Sequence, residues 1–322
     1  MKQLVITLAI AVACWPVGAK EYVYEGQWGS YGLEPGLFRF PSGVAVAPNG
    51  NVYTSDGVPF VPRVQYFTPT GSFIGWWPVV NIHGVTVASV GNVYAASYEW
   101  GTTYPTSSYI RYFTPKGTLL GSWIIHGETP SPWGAEDIAV SPGGRVFVAN
   151  TGENDIRCFG RRGRFLRKWG RKGQGPGEFN NPRGVAFGPT GRVYVADAWN
   201  HRVEYFTVTG TFLGRWGRKG RGAGQFDSPG GIAVAPATGY VYVADTDNNR
   251  VQYFTVNGTF IGEWGSYGRN PGEFCWPEAV AVTFSGNRVY VADHWNHRIQ
   301  YFNRNEPAVA PASLGRVKAL FH

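Results

Sequence analysis

The chain has 322 residues, of which 43% are hydrophobic, 16% aromatic and only 16% charged, and it contains 45 glycines. This mixture excludes an intrinsically disordered chain and does not suit long amphipathic helices, so we expect short strands joined by tight turns. The formal net charge of +8 is concentrated, because residues 157–221 contain 15 Lys or Arg against 3 Asp or Glu.

The first predicted element is an export signal at residues 1–19. Lys2 supplies the positive charge, residues 4–13 form an apolar stretch, and residues 17–19 (Val-Gly-Ala) are typical of a cleavage site. The apolar stretch is too short to span a bilayer, which takes roughly twenty residues. We therefore expect a secreted, periplasmic or cell-surface protein without a transmembrane segment. Lipid attachment at Cys14 is the alternative.

A repeat with a period of 46 to 48 residues dominates the remaining chain. Its marker is a tryptophan, at Trp28, Trp76, Trp123, Trp169, Trp216 and Trp264. Between these markers three phrases return, as at residues 193–197 (VYVAD), 200–206 (NHRVEYF) and 210–217 (GTFLGRWG). The period is that of propeller blades, and the phrases predict the strands of a four-stranded antiparallel meander.

These phrases resemble the NHL repeat along residues 20–302, most completely in the last three units. The resemblance implies an all-β fold, a six-bladed β-propeller of four-stranded antiparallel blades. The last unit lacks its fourth strand, and residues 22–28 end in Gln-Trp like the fourth strands elsewhere. We therefore expect this N-terminal strand to complete the last blade and close the ring, which removes exposed sheet edges. Residues 303–322 are expected to be a linker and tail.

The same phrases predict the core and the state of the cysteines. Inward residues of the first strands should pack between blades: Val44, Val46, Val185, Phe187, Ile232, Val234, Val280 and Val282. Cys158 and Cys275 fall in blades three and six, on opposite sides of the ring. Since a disulfide needs Cα atoms within about 7 Å, we expect two free thiols.

An arginine near the start of each third strand recurs in all six blades: Arg63, Arg111, Arg157, Arg202, Arg250 and Arg298. We expect each to pair with the carboxylate or amide that ends the preceding strand. No catalytic group is needed six times, so this role is structural. His201 and His297 belong to the same repeated phrases and are interpreted as turn residues.

The position just before each first strand differs from blade to blade and should face the central channel. It reads Ser42, His83, Glu136, Arg183, Gly230 and Glu278. In amidating lyases, which share this fold, histidines there hold a metal, and gluconolactonase-like propellers hold calcium with carboxylates. His83, Glu136 and Glu278 are thus candidate ligands for Ca²⁺ or Zn²⁺. The alternative is an ion pair in which Arg183 takes the carboxylates and no cofactor is bound.

Two surface features are candidate recognition sites. The first is a basic loop face: Arg161, Arg162, Arg164, Lys168, Arg171, Lys172, Arg218, Lys219 and Arg221. The second is an insertion in blade two at residues 99–108, bordered or occupied by Tyr98, Trp100, Tyr104 and Tyr109. Basic patches attract anionic polymers, and we expect a protein or an anionic polysaccharide as the partner of a monomer. Nucleic acid is not expected outside the cytoplasm.

The sequence favours binding over catalysis. It contains no Gly-x-Ser-x-Gly elbow, no phosphate-binding loop and no cysteine pair at metal spacing. We therefore expect a non-catalytic binding propeller. The alternatives are a metal-dependent lyase or hydrolase resembling amidating lyases, streptogramin lyases or lactonases, with its site in the channel, and a purely architectural unit.

Overall fold

The structure, a computed structural model, describes residues 21–56, 62–100, 105–125 and 134–305. Six four-stranded antiparallel sheets stand around a central channel, which confirms the predicted six-bladed propeller. The predicted signal at residues 1–19 with Cys14, and residues 306–322 of the tail, lie outside the described residues. Within the described ranges, no helix has the length and apolar character to cross a membrane.

The strands have the following bounds. The N-terminal strand is β1 (Tyr22–Trp28). Blade one contains β2 (Gly43–Val46), β3 (Val52–Asp56), β4 (Arg63–Phe67) and β5 (Phe73–Pro78). Blade two contains β6 (Ile82–Val87), β7 (Val93–Trp100), β8 (Pro105–Phe113) and β9 (Leu119–Ile125). Blade three contains β10 (Ala135–Val140), β11 (Val146–Asn150), β12 (Asp155–Phe159) and β13 (Phe165–Trp169).

The last three blades are the most regular. Blade four contains β14 (Pro182–Phe187), β15 (Arg192–Asp197), β16 (Arg202–Thr207) and β17 (Phe212–Trp216). Blade five contains β18 (Pro229–Val234), β19 (Val241–Asp245), β20 (Arg250–Phe254) and β21 (Phe260–Trp264). Blade six contains β22 (Pro277–Val282), β23 (Arg288–Asp293) and β24 (Arg298–Arg304), with β1 as its outer strand. Single 3₁₀ turns follow four of the second strands: Thr151–Glu153, Ala198–Asn200, Thr246–Asn248 and His294–Asn296.

The ring closes as the sequence predicts. β1 pairs antiparallel with β24, with Trp28 opposite Ile299. The Tyr22 hydroxyl is buried, lies 2.6 Å from the hydroxyl of Tyr242 and donates to the carbonyl oxygen of Gly286 at 2.8 Å. β24 runs to Arg304, so the last blade extends two residues into the predicted tail.

The marker tryptophan of blade one is Trp77, and the choice of Trp76 from the sequence is wrong. Trp77 is 6% exposed and lies opposite Val64, as Trp216 lies opposite Val203 in blade four. Trp76 is 44% exposed on the other side of the same strand. Because side chains alternate along a strand, a shift of one residue exchanges the buried and exposed faces.

The predicted core positions lie between the blades. Val44, Val185, Ile232, Val234 and Val280 are buried, while Val46, Phe187 and Val282 are half-buried. The outer gaps are filled by the marker tryptophans. Five of them pack on a glycine of the following blade, as Trp169 does on Gly210, and Trp264 stacks on Tyr22 instead. Cys158 and Cys275 are free.

Strand direction gives the ring two faces. The upper face is the end at which each first strand begins, and it carries the 3₁₀ turns and the loops that lead from a fourth strand to the next blade. The lower face carries the hairpins between first and second strands and between third and fourth strands. Side chains on opposite faces are separated by the height of a blade.

Candidate binding site at the mouth of the central channel

A β-bulge at the start of the first strand turns the variable position of each of five blades toward the channel, and four of these positions carry a side chain. In blade six, Pro277 and Ala279 pair with β23 while Glu278 between them has no partner, and the same break occurs at His83, Glu136, Arg183 and Gly230. These residues are therefore inside their strands, and only Ser42 stands before one, as predicted for all six. A bulge redirects a side chain in this way. All six positions line one cavity of about 190 Å³.

The channel side chains are paired with one another. Arg183 lies 3.6 Å from the Glu136 carboxylate and donates from Nε to Asn181 at 3.0 Å. Nδ1 of His294 lies 2.6 Å from Oε2 of Glu278.

The imidazole of His83 is also paired. Its Nε2 lies 3.1 Å from the hydroxyl of Tyr98. Tyr98 is buried against His83, so it faces the channel and not a recognition surface.

His294 is the channel residue that sequence reasoning missed. It directly follows Asp293 at the end of β23, where the other described blades have Tyr98, Thr151, Ala198 and Thr246. A histidine at a position that varies between blades is the signal that could have identified it.

Burial and neighbouring charges act differently on the two channel acids. Burial raises the pKa of Glu136 to about 7, with Arg183 opposing the rise and Glu278 adding to it. For Glu278 burial also favours the neutral acid, yet the surrounding positive charges, chiefly that of His294, lower its pKa to about 2. Burial lowers the pKa of His294, but the carboxylate of Glu278 outweighs burial and raises that pKa overall. Burial lowers the pKa of His83, because removal from water disfavours the charged imidazolium.

The predicted metal trio of His83, Glu136 and Glu278 does not suit a metal ion in this arrangement. Each carboxylate already faces a cationic group, Arg183 or His294. In the part of the chain that the structure describes, no group of three His, Cys, Asp or Glu could hold an ion. The donor geometry thus gives no support to a calcium or zinc centre. Arg183 faces the Glu136 carboxylate as the ion-pair alternative predicts, whereas Glu278 pairs with His294 instead.

The repeated arginines tie the upper loops to the blades. Three of them donate from Nε to the aspartate that ends the second strand at 2.7 to 2.8 Å, and Arg63 does so at 3.1 Å: Arg202 to Asp197, Arg250 to Asp245, Arg298 to Asp293 and Arg63 to Asp56. Each guanidinium also donates to three carbonyl groups of the preceding loop, as Arg202 does to Gln174, Gly175 and Glu178.

Blades two and three depart from this pattern. Arg157 pairs with Asp155 on its own strand at 3.0 Å, whereas the sequence predicts Asn150 as its partner. Arg111 donates to the Ser97 hydroxyl and lies 3.2 Å from the half-exposed Glu99. In these two blades the carboxylate that pairs with the arginine, Asp155 or Glu99, does not stand at the position that Asp197 occupies in blade four.

The predicted basic face is divided between the two ends of the ring. Arg161, Arg162 and Arg164 lie in the lower-face hairpin between β12 and β13. Lys168 lies on β13, and the upper face carries the remaining members: Arg171, Lys172, Arg218, Lys219 and Arg221. Because β13 spans about 17 Å along the blade, the residues before and after it do not share a surface. The single face expected from the sequence is therefore two surfaces.

The blade-two insertion extends a hairpin. β7 and β8 continue past the length of the other second and third strands, and Tyr109 donates to Glu99 at 3.2 Å beneath the guanidinium of Arg111. Tyr104 and the side chain of Trp100 lie outside the described residues. Tyr98 and Tyr109 thus serve internal contacts.

Comparisons with known proteins agree with this architecture. The NHL repeat family matches residues 179–206, 226–254 and 274–302, one match in each of blades four, five and six. No curated protein sequence matches the chain significantly.

Several solved structures are similar in fold. One is a protein of unknown function from Bacteroides thetaiotaomicron VPI-5482, with a TM-score of 0.65 and 14% identity over 86% of this chain and 76% of that chain. A streptogramin B lyase has a TM-score of 0.57 and 14% identity, covering 88% and 98% of the two chains. A gluconolactonase from Xanthomonas campestris has a TM-score of 0.59 and 13% identity, covering 83% and 86%. At such identities the likeness shows the fold alone. The chain is a six-bladed β-propeller that contains NHL repeats.

Proposed function

We propose that this protein is a binding module that acts outside the cytoplasm and takes an anionic ligand on its upper face, without a reaction of its own. The observation that carries the proposal is a pair of neighbouring upper loops, residues 170–181 and 217–228, called the basic loops below. Together they expose five basic side chains: Arg171, Lys172, Arg218, Lys219 and Arg221. Export of the protein is part of the proposal and comes from the predicted signal at residues 1–19.

The surrounding structure suits binding. Arg202 and Arg250 hold the backbone of the two basic loops by six hydrogen bonds to carbonyl groups, so the loops stand on a rigid scaffold. Preorganised loops lose little conformational entropy on binding, and clustered cations steer anionic ligands toward the surface.

The division of the basic residues provides a matched experiment. The upper variant replaces Lys172, Arg218 and Arg221 by Ser, and the lower variant replaces Arg161, Arg162 and Arg164 by Ser. Both variants lose three positive charges from exposed sites. Binding to dextran sulfate and to poly-L-glutamate is measured by titration calorimetry at several salt concentrations.

We expect the upper variant to lose at least about tenfold in affinity for both polymers at low salt, and to depend less on salt than the native protein. The lower variant should stay within about twofold of native affinity. Equal losses in the two variants would show that only net charge matters. A native protein that binds neither polymer would refute the proposal.

Acid–base chemistry on a small molecule in the channel is a second candidate function, favoured by the raised pKa of Glu136. A carboxyl group with a pKa of about 7 can exchange protons at neutral pH, as general acids and bases do. The test is an assay of lyase and lactonase substrates with the native protein and with Glu136→Gln. Turnover that the variant loses would replace the binding proposal by an enzymatic one.

A further inference from the structure

Four of the upper loops share one backbone conformation but carry two different kinds of side chain. In each of four loops a parallel bridge joins two residues seven apart, and the first of them is Lys172 or Lys219 in the basic loops. In the loops at residues 29–40 and 265–276, called the aromatic loops below, the same position is Tyr31 or Tyr267. Both tyrosines are exposed. The aromatic loops lead into blades one and six, whereas the basic loops lead into blades four and five.

A second loop position changes in the same way. The residue before the proline that leads into the first strand has a left-handed backbone in each case: Asn181 and Ser228 in the basic loops, Phe40 and Trp276 in the aromatic loops. Asparagine accepts a positive φ readily, whereas bulky residues there are strained, at φ 61° for Phe40 and 58° for Trp276. Trp276 remains 41% exposed, so burial does not offset the strain. Strain retained at an exposed position is typical of functional sites.

These side chains form a continuous row of rings. Tyr31 lies 5.0 Å from His297 between ring centroids, His297 lies 4.8 Å from Phe40, and Phe40 lies 5.0 Å from Trp295. Trp295 is 46% exposed and lies 6.2 Å from Trp276. The row crosses the junction of blades six and one at the upper face. Exposed aromatic groups of this extent mark recognition surfaces.

We propose that this aromatic row, Tyr31, Phe40, Trp276 and Trp295, is a stacking site for the sugar rings of an acidic polysaccharide. The inference rests on the proposed function and names the class of its ligand. Sugar rings have apolar C–H faces that stack on aromatic rings, whereas the carboxylates of an acidic peptide stand on chains with no flat ring.

Anionic groups and sugar rings are thus bound by different upper loops, and the aromatic loop at residues 265–276 is separated from the basic loop at residues 217–228 by blade five alone. The acidic groups of the polymer reach the basic loops while its rings lie on the aromatic row. One chain that engages both sites gains affinity from the second contact without a second association step.

Three polymers separate the two sites: dextran sulfate, uncharged dextran and poly-L-glutamate. The variant is Trp276→Ala with Trp295→Ala, and both side chains are exposed, so the fold is expected to persist and is checked by circular dichroism. The matched control is Trp199→Ala, because Trp199 occupies the position of Trp295 in blade four and is 47% exposed. Binding is measured by titration calorimetry, together with tryptophan fluorescence.

We expect the double variant to bind dextran sulfate about tenfold more weakly and poly-L-glutamate as the native protein does. Trp199→Ala should change neither affinity by more than about twofold. Replacement of the same pair by Tyr should restore most of the dextran sulfate affinity, since a flat ring is retained. Native protein should bind uncharged dextran far more weakly than dextran sulfate.

The outcomes separate this inference from the proposed function. Unchanged dextran sulfate binding in the double variant, or equal weakening for both anionic polymers, would overturn the stacking site while the basic loops keep their role. Failure of native protein to bind either anionic polymer would refute both. Loss for dextran sulfate alone supports both.

Discussion

Blades four and two place the same arginine in different surroundings. Arg202 is buried, pairs with the buried Asp197 at 2.8 Å and holds three carbonyl groups of a basic loop. Arg111 pairs with the half-exposed Glu99, and its blade carries an extended hairpin whose Tyr98 turns inward onto His83. The comparison teaches that the repeated ion pair holds an upper loop in place. Where the pair is lost, the blade presents a different surface.

Replacing each arginine by methionine tests this difference directly. Arg202→Met leaves the buried carboxylates of Asp197 and Glu204 without their cationic partner, and we expect a loss of about 3–5 kcal/mol in the free energy of unfolding. Arg111→Met removes a pair that water already screens, so about 1 kcal/mol or less should be lost. Urea denaturation measures both values. Equal losses would show that the two arginines contribute equally to the free energy of unfolding despite their different surroundings.

The two channel acids, Glu136 and Glu278, extend the comparison to pH, because they should change the pH dependence of stability in opposite directions. The pKa of Glu136 rises from 4.5 to about 7 in the folded protein, so the unfolded chain ionises first as pH rises. Its contribution to stability therefore falls between about pH 4.5 and 7 and stays low above that range. Glu136→Gln should remove up to about 3 kcal/mol of this dependence, since one pKa unit is worth about 1.4 kcal/mol.

Glu278 provides the control for this experiment. Its pKa is lowered from 4.5 to about 2, so its stabilisation is present above about pH 4.5 and is lost as pH falls toward 2. Glu278→Gln should flatten only this acid limb. Denaturant titrations from pH 2 to pH 8 measure both limbs. If Glu136→Gln altered the acid limb instead, the assignment of the raised pKa to Glu136 would be wrong.

The adjacent tryptophans of blade one test whether the repeat pattern of the regular blades four to six also determines which side chain is buried in blade one. Trp77→Phe leaves space in a buried contact and should cost about 2 kcal/mol. Trp76→Phe changes an exposed side chain and should stay within about 0.5 kcal/mol. The midpoint of urea unfolding reports both changes. A larger loss of stability for Trp76→Phe than for Trp77→Phe would contradict the burial of Trp77 and favour the register expected from the sequence.

The fold was predictable because its signals recur. Six markers and three phrases determine the blade number, and Trp28 at the end of a β phrase reveals the ring closure. The register of residues within one blade is harder to predict, since the period varies by one or two residues. The sequence of the doublet Trp76-Trp77 does not show which of the two tryptophans is buried. Six-fold agreement corrects such local errors for the architecture but not for one position.

The site was predictable only in part. The variable channel positions followed from the repeat, yet the bulge that turns Glu278 inward has no sequence marker, and His294 reaches the channel from a different loop. The division of the basic residues depends on strand direction, which places Arg164 and Arg171 at opposite ends of β13 although they are close in sequence. Pairings such as Arg157 with Asp155 depend on side-chain geometry that spacing does not determine.

The smallest expected effect concerns the strained aromatic positions, where the two kinds of upper loop differ most. Trp276→Asn introduces the residue that blade four has at this position, Asn181, and asparagine adopts a left-handed backbone at lower cost. We expect the free energy of unfolding to rise by about 1 kcal/mol while affinity for dextran sulfate falls. Ser228→Asn is the matched control in a basic loop and should leave that affinity unchanged. A variant that loses stability as well as affinity would show that Trp276 is retained for packing, because a residue kept for its ligand should weaken the fold that carries it.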